Sequence, residues 1–281
     1  MKTIGVIGGM GPAATVDFLR RIVEATSASR DQDHLRVLTD CDPSIPDRTD
    51  WVLKRGPDPT PQLCASARSL ERWGADFLVM PCNSASVCAP SIAAVIDIPL
   101  LDWPAIAADG TLAKHDGPVG VLATKGTIAA GTYQRSFAHR GTHILIPVPD
   151  DQLRVSAAID AVKQDGPSSH VALEYLVAAG DSLAAAGART LLLACTELSA
   201  IAGARPGDDP LILALPWVDA AQFVAEEAVR YAGGTVRAAT PQSRARVGSP
   251  ESAPRRCPTN GSPGEAGLLP VAADDLPRLV R

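Results

Sequence analysis

The sequence predicts an α/β protein of two pseudo-symmetric lobes, each built on a parallel sheet covered by helices, with an active site between the lobes. One observation is a duplicated segment. Residues 74–82 and 187–195 each begin with Gly-Ala, continue as an apolar run and end in a cysteine, Cys82 or Cys195. A second observation is that short apolar runs alternate with segments of helical periodicity, which is typical of a parallel sheet with helices on both faces.

The duplication extends upstream of the two cysteines. Residues 3–9 resemble residues 118–124, since each is an apolar strand that leads into a turn of small residues. Val/Ile/Leu runs before glycine are common in α/β proteins, but here the spacing agrees over the whole of both copies. We therefore predict two β-α-β units, at about 1–100 and 115–212. The predicted lobes are residues 1–103 with 213–232, and residues 104–212.

Local signals define the elements of the first copy. Pro12 suits the first position of a helix, where its missing N–H costs little, and apolar residues at helical spacing continue that helix to about Ala28. The Pro- and Asp-rich loop that comes later is long enough to be functional rather than a plain connector. The elements that follow the helix are a strand at 35–39, this loop at 40–61, and a helix from Leu63 to Trp73.

The second copy repeats this order and is followed by two further segments. A helix from Trp217 to Tyr231 is predicted to return to the first lobe. Residues 233–281 are rich in Pro, Ser, Gly and Arg and contain no aromatic residue, which predicts a disordered tail. Within the second copy, the predicted elements are a strand at 118–123, a helix at 129–139, a strand at 143–148, helices at 152–164 and 168–186, and the strand before Cys195.

Composition excludes several classes of function. The chain has 281 residues, 46% of them hydrophobic, and a formal net charge of −5, which argues against nonspecific binding to nucleic acid. It contains no apolar run of the ~18 residues that a membrane span needs. Its start has no signal-peptide pattern, so we expect a cytoplasmic protein without nucleic-acid or membrane partners.

The six cysteines are expected to be reduced thiols. They form no Cys-x-x-Cys pair and have no paired histidines nearby, so a zinc site is not expected. A disulfide framework is not expected in a large cytosolic chain either.

Two thiols that face each other suit the removal of a proton from one side of a carbon and its return to the other side. The reference thiol pKa of ~8.5 lies near working pH, and local donors or a helix N-terminus can lower it. Cys82 and Cys195 are each followed by short polar residues at a predicted strand-to-helix junction, where backbone N–H groups can bind a carboxylate. A single cysteine there would often be only a small buried apolar residue. The matched pair favours acid/base chemistry.

The chain resembles the cofactor-independent aspartate/glutamate racemase superfamily, and within it the aspartate racemase branch. The resemblance covers about residues 1–232. It implies an isomerase that interconverts the L- and D-forms of an acidic amino acid, aspartate favoured over glutamate, without pyridoxal phosphate or metal. The motifs that carry the resemblance are Gly8–Thr15, Ile45–Thr49, Pro81–Ser86, Val119–Thr127 and Cys195–Leu198.

The resemblance also implies roles for individual residues. Cys82 and Cys195 would be the acid/base pair, and Arg48 has the guanidinium that binds a carboxylate through two hydrogen bonds. A small acidic amino acid would be the partner of the site, and the family suggests a homodimer. The implied substrate-binding residues are Met10, Arg48, Asn83, Ser84, Thr124, Lys163, Thr196 and Glu197.

Two positions depart from the aspartate racemase pattern. That branch usually has Thr and His where this chain has Ser84 and Ser86. Ser84 keeps a hydroxyl group, whereas Ser86 resembles the glutamate racemase form of this motif. Glu197 follows the aspartate form of the second motif, so the motifs leave the choice of substrate open.

Three other functions remain open from the residues alone. The first is a nicotinamide-dependent oxidoreductase, because the turn from Gly9 to Ala14 resembles a dinucleotide-binding fingerprint. That fingerprint has an acidic residue ~20 residues farther along the chain, and the candidate here, Asp40, lies farther away than that. Maleate isomerases, hydantoin racemases and arylmalonate decarboxylases share the expected fold and use one or both cysteines. A catalytically silent protein that binds an acidic ligand is the third alternative.

Overall fold

The N-terminal strand is an interior strand of the first of two sheets. The computed structural model describes residues 1–204, 211, 213–238 and 279–280. The strand order in this sheet is β2-β1-β3-β4-β9, parallel throughout except for the antiparallel β9 at the edge. The strands are β1 (Ile4–Gly8), β2 (Val37–Cys41), β3 (Phe77–Val79), β4 (Leu100–Leu101) and β9 (Leu279–Val280).

The second sheet repeats the strand order of the first. Its order is β6-β5-β7-β8 and every pairing is parallel. Apart from β9, the four strands of the first sheet occupy the same relative places as the four strands of the second. This equivalence confirms the predicted α/β fold of two similar parallel-sheet lobes. The strands are β5 (Val119–Ala123), β6 (Ile144–Leu145), β7 (Thr190–Ala194) and β8 (Trp217–Asp219).

Helices connect the strands and cover the sheets. Pro12 opens the first helix, as predicted. The helices are α1 (Pro12–Ala25), α2 (Arg48–Val52), α3 (Thr60–Arg72), α4 (Ala89–Ala93), α5 (Trp103–Leu112), α6 (Lys125–Ala129), α7 (Thr132–Ala138), α8 (Pro149–Asp165), α9 (His170–Ala185), α10 (Thr196–Ala204) and α11 (Ala220–Tyr231).

Side-chain alternation along the strands divides the interior into three cores. Because successive residues of a strand point to opposite faces, one face of each sheet contributes to a core that the two lobes share, together with α1, α5 and α11. The opposite face of the first sheet packs with α3 and α4. The opposite face of the second sheet packs with α8 and α9. The shared core holds the two lobes together and so fixes the position of the cleft between them.

A buried ion pair reinforces the contact between the lobes. Arg21 of α1 lies 2.8 Å from the carboxylate of Asp219, which caps the N-terminus of α11. Arg21 also donates to the backbone carbonyl of Ser199 in α10 at 2.8 Å. These contacts tie α1 to the helix that directly follows Cys195.

Two predicted helices are arranged differently in the structure. Residues 217–219 are strand β8 of the second sheet rather than the start of a helix, because they pair with β7, a contact that local sequence does not encode. Helix α11 itself packs on α1 and α5. The helix predicted at 129–139 corresponds to α7, which begins only at Thr132 because Gly131 adopts the left-handed conformation (φ 66°) just before it; the short helix α6, which precedes Gly131, was not predicted.

The predicted tail over 233–281 falls for most of its length outside the described residues. At one described end, Val236 forms a β-bridge with Thr26. At the other, β9 pairs with β4. The sequence did not predict either contact, because each depends on a partner strand or residue far away in the chain. Among the described residues, no helix is long and apolar enough to cross a membrane.

Candidate active site

Both cysteines lie just beyond the carboxyl ends of equivalent central strands. Cys195 directly follows β7, and Cys82 lies shortly after β3. Both side chains are buried, at 5% exposure for Cys82 and 3% for Cys195, and neither forms a disulfide. Ligands of parallel α/β sheets bind outside the carboxyl ends of the strands. The duplicated strands therefore bring the two thiols to one cleft between the lobes.

This cleft has a volume of about 340 Å³, its open mouth included. All ten residues that the sequence predicted for the site line it. Their individual roles remain predictions. Three further residues line the cleft, and the sequence analysis did not propose them: Asp47, Thr49 and Ile159. Asp47 and Thr49 lie inside the quoted Ile45–Thr49 motif, from which they could have been predicted. No sequence pattern indicated Ile159.

Glu197 is the hydrogen-bond partner of the Cys195 thiol. The thiol donates to Glu197 Oε2 at 3.0 Å, and the Thr196 hydroxyl donates to the same oxygen at 3.3 Å. Burial raises the pKa of Cys195 well above its ordinary value, and the negative charge of Glu197 raises it further. The nearby Cys82 thiol contributes in the same direction. Cys195 therefore rests as a protonated thiol beside a carboxylate.

Three hydroxyl groups meet where the first lobe touches the second. Ser84 Oγ lies 2.7 Å from Thr124 Oγ1 and 3.0 Å from Thr127 Oγ1. Thr124 also accepts a hydrogen bond from the backbone N–H of Thr127 and so caps the N-terminus of α6. Thr127, which the sequence analysis did not propose as a site residue, ends the quoted Val119–Thr127 motif. The cluster gives the cleft short, fixed hydroxyl groups contributed by both lobes.

Arg48 is held in place by backbone carbonyl groups. Its guanidinium donates to Pro46 O at 2.9 Å, Ile45 O at 3.2 Å and Met10 O at 3.4 Å. Its Nε is buried and has no hydrogen-bond partner among the described residues. The side chain of Asp47 caps α2, at whose first residue Arg48 stands. The loop therefore presents a fixed cation to the cleft.

Lys163 supplies a second cation from α8. Within the described part of the chain, neither Lys163 nor Arg48 forms an ion pair with a carboxylate. Both charges are therefore available to an anionic ligand.

Two glycines lie where one lobe meets the other around the site, and one of them allows a close approach. A Cβ on Gly126 would lie 2.7 Å from Thr49 Cα, so the second lobe reaches the Arg48 loop only because residue 126 has no side chain. A Cβ on Gly11 would lie 3.8 Å from Glu197 Oε1, which places the turn after β1 beside the carboxylate of the other lobe.

Ser86 lies away from the cleft. It lines a separate cavity with Trp103 and Val280, and its buried hydroxyl has no hydrogen-bond partner among the described residues. The departure from the aspartate racemase pattern at Ser86 therefore does not change the lining of the cleft. In the described part of the chain, no three His, Cys, Asp or Glu side chains are grouped so that they could hold a metal ion.

Comparison with known proteins gives a family assignment. The family model described as Asp/Glu/hydantoin racemase matches residues 7–245. A broad-specificity amino-acid racemase of Bacillus subtilis is 26% identical over 221 residues, which cover 74% of this chain and 91% of that protein. The structure of the Picrophilus torridus aspartate racemase aligns with a TM-score of 0.73 at 28% identity, covering 84% of this chain and 96% of that one.

More distant structures share the fold. A glutamate racemase isoform from Bacillus anthracis aligns with a TM-score of 0.58 at 16% identity, covering 83% of each chain. The family match spans most of the chain and replaces the dinucleotide-binding interpretation of the turn after β1. The paired cysteine strands, the shared cleft and the family model agree, and the chain belongs to the Asp/Glu/hydantoin racemase family of isomerases.

Proposed function

We propose that the protein racemises an acidic amino acid, aspartate in preference to glutamate, with Cys82 and Cys195 as the two acid/base groups. The observation that carries the proposal is the pair of thiols at equivalent strand ends. They line one cleft together with Arg48 and Lys163, two cations that form no ion pair with any described carboxylate. The named relatives support it, since one is an aspartate racemase and another a broad-specificity amino-acid racemase.

In the proposed reaction, one thiolate removes the α-proton while the opposite thiol delivers a different proton to the other face of the same carbon. The carbanion formed at Cα is neutralised by the incoming proton, so no separate cofactor is needed to hold the charge. The α-carboxylate lies next to the reacting carbon and therefore close to Asn83, Ser84 and Thr196, which stand beside the thiols. We assign the second carboxylate to Arg48 and Lys163.

Glu197 sets the resting state of the Cys195 thiol. Protonated Cys195 suits the direction of the reaction in which Cys195 is the acid and Cys82 is the base. For the reverse direction, the Cys195 proton has to leave, and Glu197 Oε2 is the acceptor at 3.0 Å. We therefore assign Glu197 to proton transfer with Cys195 rather than to direct contact with substrate.

Incubation of the protein with L-aspartate in D₂O tests the proposed function. We expect D-aspartate, detected by chiral chromatography, and deuterium at Cα of the product, detected by mass spectrometry, because the delivered proton comes from a thiol that exchanges with solvent. L-Glutamate and L-alanine measure substrate preference, and maleate measures the isomerase alternative. Turnover of maleate without racemisation, or ligand binding without deuterium exchange, would reject the proposal.

Replacing Glu197 by Gln is expected to change Cys195 in two opposite ways. Loss of the negative charge lowers the pKa of Cys195 relative to the wild type, so its alkylation by iodoacetamide should begin at lower pH. Loss of the proton acceptor should lower kcat about 10²-fold in the direction that uses Cys195 as the base. Peptide mass spectrometry measures alkylation at this cysteine, and initial rates from each enantiomer measure kcat.

Glu24→Gln is the matched control, because Glu24 is an exposed carboxylate of α1 that pairs with Arg20. It should leave both measurements unchanged. If Glu197→Gln slowed the alkylation of Cys195 or left both directions of racemisation unchanged, the assigned role of Glu197 would be wrong.

A further inference from the structure

Tyr133 is a buried polar residue beside the cleft that the reaction described so far does not use. It lies in α7 of the second lobe, is 0% exposed, and donates a hydrogen bond from its hydroxyl to Oδ1 of Asn83 in the first lobe. Burial raises the pKa of Tyr133 well above its ordinary value, so the phenol remains a donor over the working pH range. The hydrogen bond crosses between the lobes at a residue that lines the cleft.

The hydrogen bond determines which way the Asn83 amide points. The structure gives the buried hydroxyl one acceptor among the described residues, Asn83 Oδ1. If the amide were turned over, the phenol proton would have no acceptor, and leaving a buried donor unsatisfied costs about 1–3 kcal/mol. With Oδ1 occupied, the amino group of Asn83 has no partner among the described residues and is left to the cleft.

The direction of the amide matters for an anionic substrate. An amide amino group donates hydrogen bonds to a carboxylate, whereas an amide oxygen would repel it. Asn83 directly follows Cys82, so in the proposed reaction its amino group is near the carbon from which the thiolate removes a proton and near the carboxylate bonded to that carbon. Ser84, the next residue, is fixed by Thr124 and Thr127 of the second lobe in the same manner.

We propose that Tyr133 is a positioning residue: its hydroxyl, from the second lobe, holds the Asn83 amide so that the amino group donates to the α-carboxylate of the substrate. The inference rests on the proposed function for the identity of that carboxylate. It adds a residue for which the sequence motifs gave no signal. It also makes the orientation of the Asn83 amide, in the first lobe, depend on the placement of the second lobe.

Selective ¹⁵N-asparagine labelling tests the inference without reference to turnover. The chain contains two asparagines, Asn83 and Asn260, so the side-chain amide region should show two NH₂ pairs, and Asn83→Ala identifies one of them. We expect Tyr133→Phe to shift the Asn83 pair, and L-aspartate to shift it in the wild type. Tyr231→Phe is the control, because Tyr231 packs edge-on against Phe77 (ring centroids 4.8 Å apart), away from Asn83.

A double-mutant cycle on L-aspartate affinity is the second measurement. Tyr133→Phe should weaken binding about tenfold, as expected for a hydrogen bond to a charged group, and should raise KM more than it lowers kcat. In an Asn83→Ala background the same change should have less than about a twofold effect, because Tyr133 acts through Asn83. Phe keeps the ring that fills the core, and thermal unfolding verifies that each variant is folded.

Three results would each overturn the inference. One is that the NH₂ signals of Asn83 stay unshifted in Tyr133→Phe, and another is that they fail to respond to L-aspartate in an active enzyme. The third such result is that the effects of Tyr133→Phe and Asn83→Ala on affinity simply add. A wild-type protein that binds L-aspartate at Asn83 but does not racemise it would reject the proposed function and leave the role of Tyr133 standing.

Discussion

Cys82→Ser and Cys195→Ser should each lower the rate of racemisation by about 10³-fold or more. Each substitution removes the acid/base group from one face of the substrate carbon, and a serine hydroxyl is far less acidic than a thiol, so it cannot replace it. The double variant should lose little more than either single one, because the two thiols act as a unit. Initial rates from pure L- and D-aspartate, followed by chiral chromatography, measure these losses.

The single variants should keep one half of the chemistry. Elimination of a good β-leaving group from a substrate analogue needs only one base. Each variant should therefore still process one enantiomer of such an analogue, and the two variants should prefer opposite enantiomers. This result would separate loss of one base from general damage to the site.

Cysteines outside the cleft are the controls for this experiment. Cys41 is exposed and Cys64 is partly exposed. Cys41→Ser and Cys64→Ser should keep near-normal racemisation. The buried Cys88, whose pKa burial raises to about 11, should be replaceable at an ordinary cost in stability. Near-normal racemisation by either Cys82→Ser or Cys195→Ser would reject the two-thiol mechanism and favour the isomerase or silent-binder alternatives.

Arg48→Ala should lower kcat/KM for aspartate about 10²-fold. A hydrogen bond to a charged group contributes about 1.5–3 kcal/mol, and the guanidinium is already fixed by the carbonyls of Met10, Ile45 and Pro46. Arg48→Lys should recover only part of the loss, because an ammonium group keeps the charge but not the two-hydrogen-bond geometry. Steady-state kinetics with aspartate measure both effects.

The substrate dependence of this loss tests which carboxylate Arg48 binds. If it binds the side-chain carboxylate, any residual activity with L-alanine should change much less than activity with aspartate. Equal losses with both substrates would show that Arg48 does not bind the second carboxylate. Arg55→Ala is the control on the same loop, because Arg55 is exposed and pairs with Asp50, and it should leave both activities unchanged.

The sequence, with the family resemblance of its motifs, contained enough to predict the fold class and ten of the residues that line the cleft. The apolar runs that end in Cys82 and Cys195 identified the central strands β3 and β7, because a duplicated local pattern folds in the same way twice. Strand ends at the carboxyl edge of a parallel sheet meet at one place. That rule, with the motifs around Arg48 and Thr124, accounts for nine of the ten predicted residues in the cleft, whereas Lys163 of α8 was named only from the family resemblance.

Pairing between distant segments could not be predicted in this way. β8 and β9 have three and two residues, too few to show an alternating pattern, and each is a strand only because a partner strand lies beside it. The start of α7 at Thr132 depended on the backbone conformation of one glycine, Gly131, which local helical spacing did not reveal.

The sequence by itself determined that two thiols would stand at equivalent strand ends with short polar residues after them. Only the tertiary structure decided what each of those residues faces: Glu197 turns to Cys195, Ser86 turns away from the cleft, and Asn83 is held by Tyr133. The physical reason is that strand and helix periodicity follow from neighbours in the chain, whereas the direction of a polar side chain follows from the partner that packing brings to it. At this site, the partners of Asn83 and Ser84 belong to the other lobe.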